Sequence, residues 1–154
     1  MYLVGNGVDI HRIEKQNSKI IQQLGGIKLD LDYKVIAHSD GDIILHSISD
    51  AILGALALGD IGNYFKDTDA KNKGIDSKII LKKCLSLMHN SKYKISNIDI
   101  TVISEHIIFA NHKEAIVDKL KYLLNCSHVS FKATRWEENK LFIQCNSSIL
   151  LKKY

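Results

Sequence analysis

Several residue types and patterns are missing from this chain of 154 residues. It has no proline, while lysine, isoleucine and asparagine are abundant, a bias that an AT-rich gene would produce. The three cysteines, Cys84, Cys126 and Cys145, are widely spaced and form no CxxC pair, which argues against a disulfide framework and predicts reduced thiols. No apolar run approaches the length of a membrane span, and the N-terminus lacks the basic-then-apolar layout of a secretory signal. We therefore expect a cytoplasmic protein with no membrane partner.

A strong charge of one sign is also missing. The formal net charge is only +4 and the lysines are scattered, so we interpret them as solvated faces and expect no nucleic-acid partner. What the chain does contain, 45% hydrophobic and 25% charged residues, is ordinary for a globular protein and sufficient for a core. We expect one domain over residues 1–154, with no linker or internal repeat.

Apolar periodicity predicts a mixed order of strands and helices. The predicted strands are Tyr2–Ile10, Ile98–Val102, Val129–Ala133 and Leu141–Leu151, and the predicted helices are Asp42–Leu58, Ser77–Asn90 and Glu114–Leu124. After a turn at Gly25-Gly26, the segments Ile27–Leu31 and Tyr33–Ala37 are predicted to pair with each other as a hairpin. The polar segment Asn63–Ile75 is predicted to be a mobile loop. This order predicts an α/β (α+β) sandwich with helices on one face of a sheet.

Two clusters of polar side chains carry chemistry. In Gly7-Val8-Asp9-Ile10-His11, the residues Asp9 and His11 are two apart, so on a strand they point to one face. The ten residues Ala37–His46 contain two imidazoles, two carboxylates, a hydroxyl and a turn glycine, and they lead into the helix that carries His46. One carboxylate and two imidazoles from two rigid elements predict a catalytic zinc site with its fourth position open.

Two further carboxylates lie on the same helix. Asp42 is placed to cap the helix N-terminus. Asp50 lies four residues after His46 on one helix face, where it could orient His46 or lie nearer to the substrate. The sequence leaves both roles of Asp50 open.

These clusters, in order and spacing, resemble the 2-C-methyl-D-erythritol 2,4-cyclodiphosphate synthase family. The resemblance also covers Ser49-Asp50-Ala51, Leu58-Gly59-Asp60-Ile61-Gly62 and Phe65-Lys66-Asp67-Thr68-Asp69, so it spans the first half of the chain; the second half agrees in general layout. It implies a ferredoxin-like sheet assembled as a homotrimer, with active sites at subunit interfaces. It also implies that Asp9, His11 and His46 are the zinc ligands.

The resemblance implies contacts with a nucleotide-diphosphate substrate. His38 and Ser39 would contact its phosphates, His38 taking developing negative charge, and Asp60, Ile61 and Gly62 would contact the ribose. Phe65, Asp67 and Asp69 would belong to a flexible loop over the methylerythritol end. Lys66 stands where the family usually has proline, so this loop is expected to be less rigid.

The second half departs from the family at several sites. The loop Ser104–Ala110 would cradle the cytosine, with Ser104 and Ala110 as contacts, but the usual proline and lysine positions hold Ile107 and Ile108. Ala133 and Thr134 match substrate-binding positions. Glu137 matches the ligand of a second divalent ion, magnesium or manganese, and the hairpin after it is shortened and lacks the family's arginine.

Arg135 stands where the family has the threonine regarded as stabilising the transition state. Its guanidinium offers up to five donors and a fixed charge, so we predict that it replaces the hydroxyl at the nucleotide phosphates. The alternative is that Arg135, like Trp136, points away and packs at the trimer surface.

The activity that the resemblance implies is the zinc-dependent conversion of 4-diphosphocytidyl-2-C-methyl-D-erythritol 2-phosphate to 2-C-methyl-D-erythritol 2,4-cyclodiphosphate plus CMP, in the non-mevalonate isoprenoid pathway. Its compartment would be the cytoplasm, or the plastid stroma of a plastid-bearing eukaryote. Two alternatives stay open. One is a catalytically impaired homologue that keeps the zinc trimer and binds a phosphorylated or isoprenoid ligand, which Ile107, Ile108 and Arg135 favour. The other is a different metal-dependent phosphatase or cyclase on the same scaffold.

Overall fold

One long strand runs through most of the sheet in this computed structural model, which describes residues 1–154. Strand β1 spans Tyr2–Leu24, a length of 23 residues. Its first half pairs antiparallel with the last strand of the chain and its second half pairs with the strand that follows it. The sequence analysis predicted only Tyr2–Ile10, because the middle of β1, residues 14–19, is polar or exposed and shows no apolar alternation.

The predicted hairpin between Ile27–Leu31 and Tyr33–Ala37 is wrong. These residues form one continuous strand, β2 (Ile27–Val35), whose partner is the end of β1. Gly25 and Gly26 have φ values of 68° and 78°. Two successive left-handed residues make the tight turn that suits a two-residue hairpin, so the chain reverses here and not at residue 32.

The remaining elements follow the predicted order. They are α1 (Ile43–Ala55), α2 (Ser77–Asn90), β3 (Tyr93–Ser104), α3 (Lys113–Leu124), β4 (Val129–Thr134) and β5 (Phe142–Lys153), with 3-10 turns at Ile61–Asn63 and Ala70–Asn72. Helix α1 is three residues shorter at its C-terminus than predicted. It ends at Ala55, and Ala57 then adopts a left-handed φ of 56° that takes the chain out of the helix before Gly59.

The strands form one sheet of order β2-β1-β5-β3-β4, in which only β3 and β4 are parallel. Helix α1 packs against β1 and β5, α2 packs against α1, and α3 packs beside β4. The core lies between α1 and the sheet, and α1 is buried on nearly all sides. The fold is therefore the mixed α/β arrangement that the sequence predicts.

Two glycines set the distance between α1 and the sheet. A Cβ at Gly5 or Gly7 would overlap the carbonyl oxygen of Ala51 or Ser47, respectively. Only a residue without a side chain lets the α1 backbone approach β1 this closely. These glycines therefore fix how near the side chains of α1 come to those of β1.

The polar segment 63–75 is tied to its surroundings by hydrogen bonds. The buried Asn72 donates from Nδ2 to the Lys66 carbonyl at 2.9 Å, and the Gly74 N–H donates to the His38 carbonyl at 2.7 Å. Elsewhere, all three cysteines are buried and unpaired. No helix has both the length and the apolar character needed to cross a bilayer.

Candidate functional site

A cleft of about 280 Å³ lies where β1, α1 and the segment after α1 meet. It collects most of the side chains that the first half of the sequence singled out. The predicted site residues that line it are Asp9, His11, His38, Ser39, His46, Ile61, Gly62, Phe65 and Asp67. Asp60 and Asp69 belong to the same segments but do not line the cleft.

Asp9 lies between the two imidazoles. His11 Nε2 is 3.1 Å from Asp9 Oδ1, and His46 Nδ1 is 3.6 Å from Asp9 Oδ2. Asp9 and His11 share the inward face of β1, as the i, i+2 spacing predicts, and His46 reaches them from the first turn of α1. Gly7, two residues before Asp9, is what allows α1 to bring His46 this close.

The surroundings shift the pKa values of the two histidines in opposite directions. The hydrogen bond with Asp9 raises the pKa of His11, helped by a bond from its Nδ1 to the Ile36 carbonyl at 3.0 Å. Burial lowers the pKa of His46 and outweighs the attraction of Asp9. With Nδ1 donating to Ile36, His11 presents its Nε2 to the cleft, which is the tautomer that a metal-binding imidazole needs.

The donor set suits zinc, which binds imidazole nitrogens and carboxylate oxygens. A tetrahedral zinc with bonds of about 2.0–2.1 Å separates its ligand atoms by about 3.3 Å, close to the distances from Asp9 to the two imidazoles. Asp9 Oδ2 and His46 Nε2 are buried without a hydrogen-bond partner. No three of these side chains are arranged to hold a metal ion as they stand, but the unpartnered Asp9 Oδ2 is an atom that a cation bound through His46 Nδ1 would satisfy.

The loop before α1 is fixed from several sides. Asp40 accepts hydrogen bonds from the Ser77 N–H at 3.0 Å and from the Ser77 hydroxyl, which ties the loop to the start of α2. Ser39 Oγ accepts from the Gly41 N–H at 3.1 Å. His38 and Ser39 are therefore held on a braced loop at the rim of the cleft.

Asp42 has the capping role that the sequence predicts and a second role that it did not show. Its Oδ1 accepts from the Leu45 N–H at 3.1 Å, which caps α1. The same carboxylate accepts from the N–H groups of Gly25 and Gly26 at 2.9 and 2.8 Å. Complete burial raises its pKa to about 6 despite these three donors. Asp42 thus joins the β1–β2 turn to the helix that carries His46.

The structure distinguishes between the two roles left open for Asp50. Its Oδ1 accepts from the Ile61 N–H at 2.8 Å, and it makes no hydrogen bond with His46. Asp50 lines the cleft, and burial raises its pKa. It therefore holds the 3-10 turn Ile61–Asn63, with Gly62, against the cleft.

The site residues from the second half of the chain gather elsewhere. A cavity of about 180 Å³ at the ends of β3 and β4 is lined by Ser104, Ala110, Ala133, Thr134 and Arg135, together with Ile107, Ile108, Phe109 and Lys113. We call it the β3–β4 cavity. A neighbouring polar depression contains Glu137. The β3–β4 cavity and the cleft share no residue.

Sequence reasoning missed Glu105, which contacts Arg135. Glu105 Oε1 lies 2.6 Å from an Arg135 guanidinium nitrogen, and Glu105 Oε2 accepts from the Glu137 N–H at 3.2 Å. The signal was the parallel pairing of β3 with β4. Ile103 is opposite Thr134 in that register, so the next residues along each strand emerge near each other.

Comparisons with known proteins agree on one family. Residues 2–152 match the YgbB family model. The chain is 52% identical over 141 residues to the 2-C-methyl-D-erythritol 2,4-cyclodiphosphate synthase of Leptospira interrogans, which covers 90% of this chain and 86% of that one. It is 42% identical over 149 residues to the protein of the same name from Mycoplasmoides gallisepticum, and the match covers 96% of this chain and 95% of that protein. Among solved structures, an IspF–CDP complex from Plasmodium falciparum matches with a TM-score of 0.85 and 35% identity, covering 99% of this chain and 96% of that one.

Proposed function

Since the chain belongs to the YgbB family and is, like its relatives, a lyase-type cyclodiphosphate synthase of isoprenoid biosynthesis, we propose that its substrate is 4-diphosphocytidyl-2-C-methyl-D-erythritol 2-phosphate. The products would be 2-C-methyl-D-erythritol 2,4-cyclodiphosphate and CMP, formed in the cytoplasm. The observation that carries this proposal is the cleft, in which Asp9 lies between His11 and His46, with His38 and Ser39 at the rim.

The proposed reaction is an intramolecular phosphoryl transfer. An oxygen of the 2-phosphate attacks the β-phosphorus, the bond from that phosphorus to the bridging oxygen breaks, and CMP leaves with the bridging oxygen and its electron pair. Because the nucleophile belongs to the substrate, the protein only has to position the phosphates and neutralise their charge. His38 and Ser39, at the rim of the cleft, can donate hydrogen bonds to the phosphate oxygens.

Asp9, His11 and His46 would hold a zinc ion. When bound, zinc supplies Lewis-acid polarisation of a phosphate oxygen. Glu137 is exposed and has no ion-pair partner, so it could be the single carboxylate of a magnesium or manganese site that the nucleotide phosphates complete. These side chains would hold the positive charge of the metal ions in position before the substrate binds.

The β3–β4 cavity is proposed to take the cytidine end. The Plasmodium falciparum relative was solved as a CDP complex, so a cytidine diphosphate fits a fold of this kind. Ser104 Oγ accepts from the Ile107 N–H at 3.0 Å, which shapes the loop that lines the cavity. Ala110, Ala133 and Thr134 complete a small concave surface suited to a planar base.

Because the cleft and the β3–β4 cavity are separate within one chain, a substrate that needs both would be held between two copies. We therefore propose a homotrimer in which the β3–β4 cavity of one protomer faces the cleft of the next. The face of the sheet away from α1 carries Val4, Val8 and Ile10, each more than half exposed, and a cyclic assembly would cover them.

The experiment is to incubate the purified protein with this substrate, zinc and magnesium and to follow CMP by chromatography. Release of CMP with equal formation of the cyclodiphosphate supports the proposal, and a chelator should abolish it. Zinc binding without turnover would identify the impaired homologue instead, which the intact cleft does not favour. Release of inorganic phosphate would identify a phosphatase. Sedimentation as a 17.4 kDa monomer at micromolar concentration would contradict the trimer.

A further inference from the structure

Glu105 makes a double contact at the edge of the β3–β4 cavity. One carboxylate oxygen lies 2.6 Å from the Arg135 guanidinium, and the other accepts from the Glu137 N–H at 3.2 Å. The Glu105 side chain is only 14% exposed, whereas the Arg135 side chain is 61% exposed. The carboxylate is therefore the anchored partner, and the guanidinium is the part that faces outward.

The position of this pair favours a role in ligand binding. Residues 105 and 135 directly follow the ends of β3 and β4, the only parallel pair in the sheet. Ligands of α/β proteins bind outside the carboxyl ends of parallel strands. Arg135 lines both the β3–β4 cavity and the depression that contains Glu137.

The contacts leave the guanidinium able to bind an anion. Arginine has five N–H donors, and the bond with Glu105 uses one guanidinium nitrogen. No other protein acceptor is bonded to Arg135, so donors remain on its exposed side. The cavity has one other cationic side chain, Lys113, while Ile108 is exposed at its rim.

We propose that Glu105 is a positioning residue that fixes Arg135 and the Glu137 backbone so that the free donors of Arg135 meet the phosphates of the nucleotide. This inference rests on the proposed function, because it requires a nucleotide in the β3–β4 cavity. Glu137 has a left-handed φ of 61°, and the Glu105 bond to its N–H holds that conformation. The same carboxylate thus sets both the guanidinium and the residue proposed to bind the second cation.

If Glu105 has a different role, neutralising Arg135, its removal would change the affinity for CMP in the opposite direction. If Glu105 only neutralised Arg135, its removal would free the guanidinium and tighten phosphate binding. If Glu105 positions Arg135, its removal lets a long side chain swing away and weakens binding, because an unfixed arginine loses rotamer freedom when it binds. The direction of the change in CMP affinity therefore decides between the two roles.

The test is calorimetric titration of CMP with magnesium into wild type, Glu105→Ala, Arg135→Ala and the double variant. We expect each single variant to weaken CMP binding by about fivefold, the size of an exposed charged contact, and the double variant to be no weaker than the singles. Glu105→Gln keeps one acceptor for Arg135, so it should recover part of the affinity.

The matched control is Asp99→Asn. Asp99 and Lys132 form another 2.6 Å ion pair between β3 and β4, with a more exposed carboxylate, and neither residue lines the cavity. Its loss should leave CMP binding unchanged. Unaltered or tighter binding by both Glu105 variants would overturn the inference. If wild type itself neither binds CMP nor releases it from the substrate, the proposed function fails first, and the inference fails with it.

Discussion

The cleft and the β3–β4 cavity are built in different ways. The cleft side chains are partly or fully buried on β1 and α1, and two of their polar atoms have no protein partner. The β3–β4 cavity is lined by loop and strand-end residues, and its one arginine is already paired within the chain. Buried polar atoms without a hydrogen-bond partner indicate a site prepared for a bound group, whereas exposed paired charges can be replaced at little cost. Apart from Lys66, beside the cleft, the departures from the family that the sequence shows lie in the second region.

The largest expected effect is in the cleft. His46→Ala removes one imidazole from the proposed metal site, which should abolish zinc binding and lower turnover about 10³-fold or more, since a Lewis acid contributes several kcal/mol. Zinc content by elemental analysis and the rate of CMP release are the measurements. His89→Ala, on the exposed side of α2, is the control and should change neither. Full zinc content in the His46 variant would show that His46 is not a ligand.

The next effect concerns the close approach of α1 to β1. Gly7→Ala adds a Cβ that overlaps the Ser47 carbonyl, so we expect the free energy of unfolding to fall by about 3 kcal/mol, at the upper end for an overpacked core. Urea denaturation measures it. Gly54→Ala is the control on α1, because its Cβ would lie 3.6 Å from the nearest atom, the Asn6 carbonyl oxygen. That variant should be neutral or stabilised by up to about 1 kcal/mol. Equal stability of the two variants would contradict this account.

A pH effect of similar size is expected at Asp42. Burial raises its pKa from 3.8 to about 6, so its contribution to stability is fully present below the unfolded value and is lost as the pH rises through about 6. The free energy of unfolding of wild type, relative to Asp42→Asn, should therefore fall by about 2–3 kcal/mol between pH 4 and pH 7. Urea denaturation of both proteins across that range gives the difference. A constant difference would show that the burial of Asp42 does not shift its titration.

A smaller effect is expected at Asp50, which supports the floor of the cleft through Ile61. Asp50→Ala leaves the Ile61 N–H without its acceptor, so we expect the Michaelis constant to rise about tenfold while the turnover number changes little. Asp50→Asn keeps an oxygen acceptor and should recover most of the loss. If both variants are equally impaired, the charge of Asp50 is what matters, and not its hydrogen bond with the Ile61 N–H.

The smallest effect is expected at Arg135. Arg135→Ala should lower the turnover number about fivefold, and more than it raises the Michaelis constant, because an exposed charged contact contributes about 1 kcal/mol. Arg135→Thr should restore part of the loss. Steady-state kinetics with the diphosphocytidyl substrate measures both constants. If Arg135→Ala leaves the turnover number and the Michaelis constant unchanged within twofold, Arg135 has only a structural role. The β3–β4 cavity would then contribute even less to catalysis, relative to the cleft, than proposed.

The parts that could be predicted from sequence are those with a local signal. The i, i+2 spacing of Asp9 and His11, the cap at Asp42 and the apolar stripe of α2 each follow from a few neighbouring residues. The second half of β1 could not be predicted, because its polar residues become a strand only through pairing with β2. Glu105 was missed for a related reason. Its partner is 30 residues away, and only the β3–β4 register brings the two together.

The pairing of β1 with β5 also has a consequence for the order in which the protein can fold. Asp9 is opposite Cys145 and His11 is opposite Ile143, so β1 is held by a strand more than 130 residues later in the sequence. Contacts this distant in sequence slow folding, because the loop-closure entropy is lost before they form. A chain still on the ribosome, with β5 not yet emerged, lacks the pairing that fixes Asp9 and His11. Folding of the β1 end of the cleft is therefore expected to be completed only after β5 has emerged, and until then the exposed edge of β1 is open to pairing with other chains.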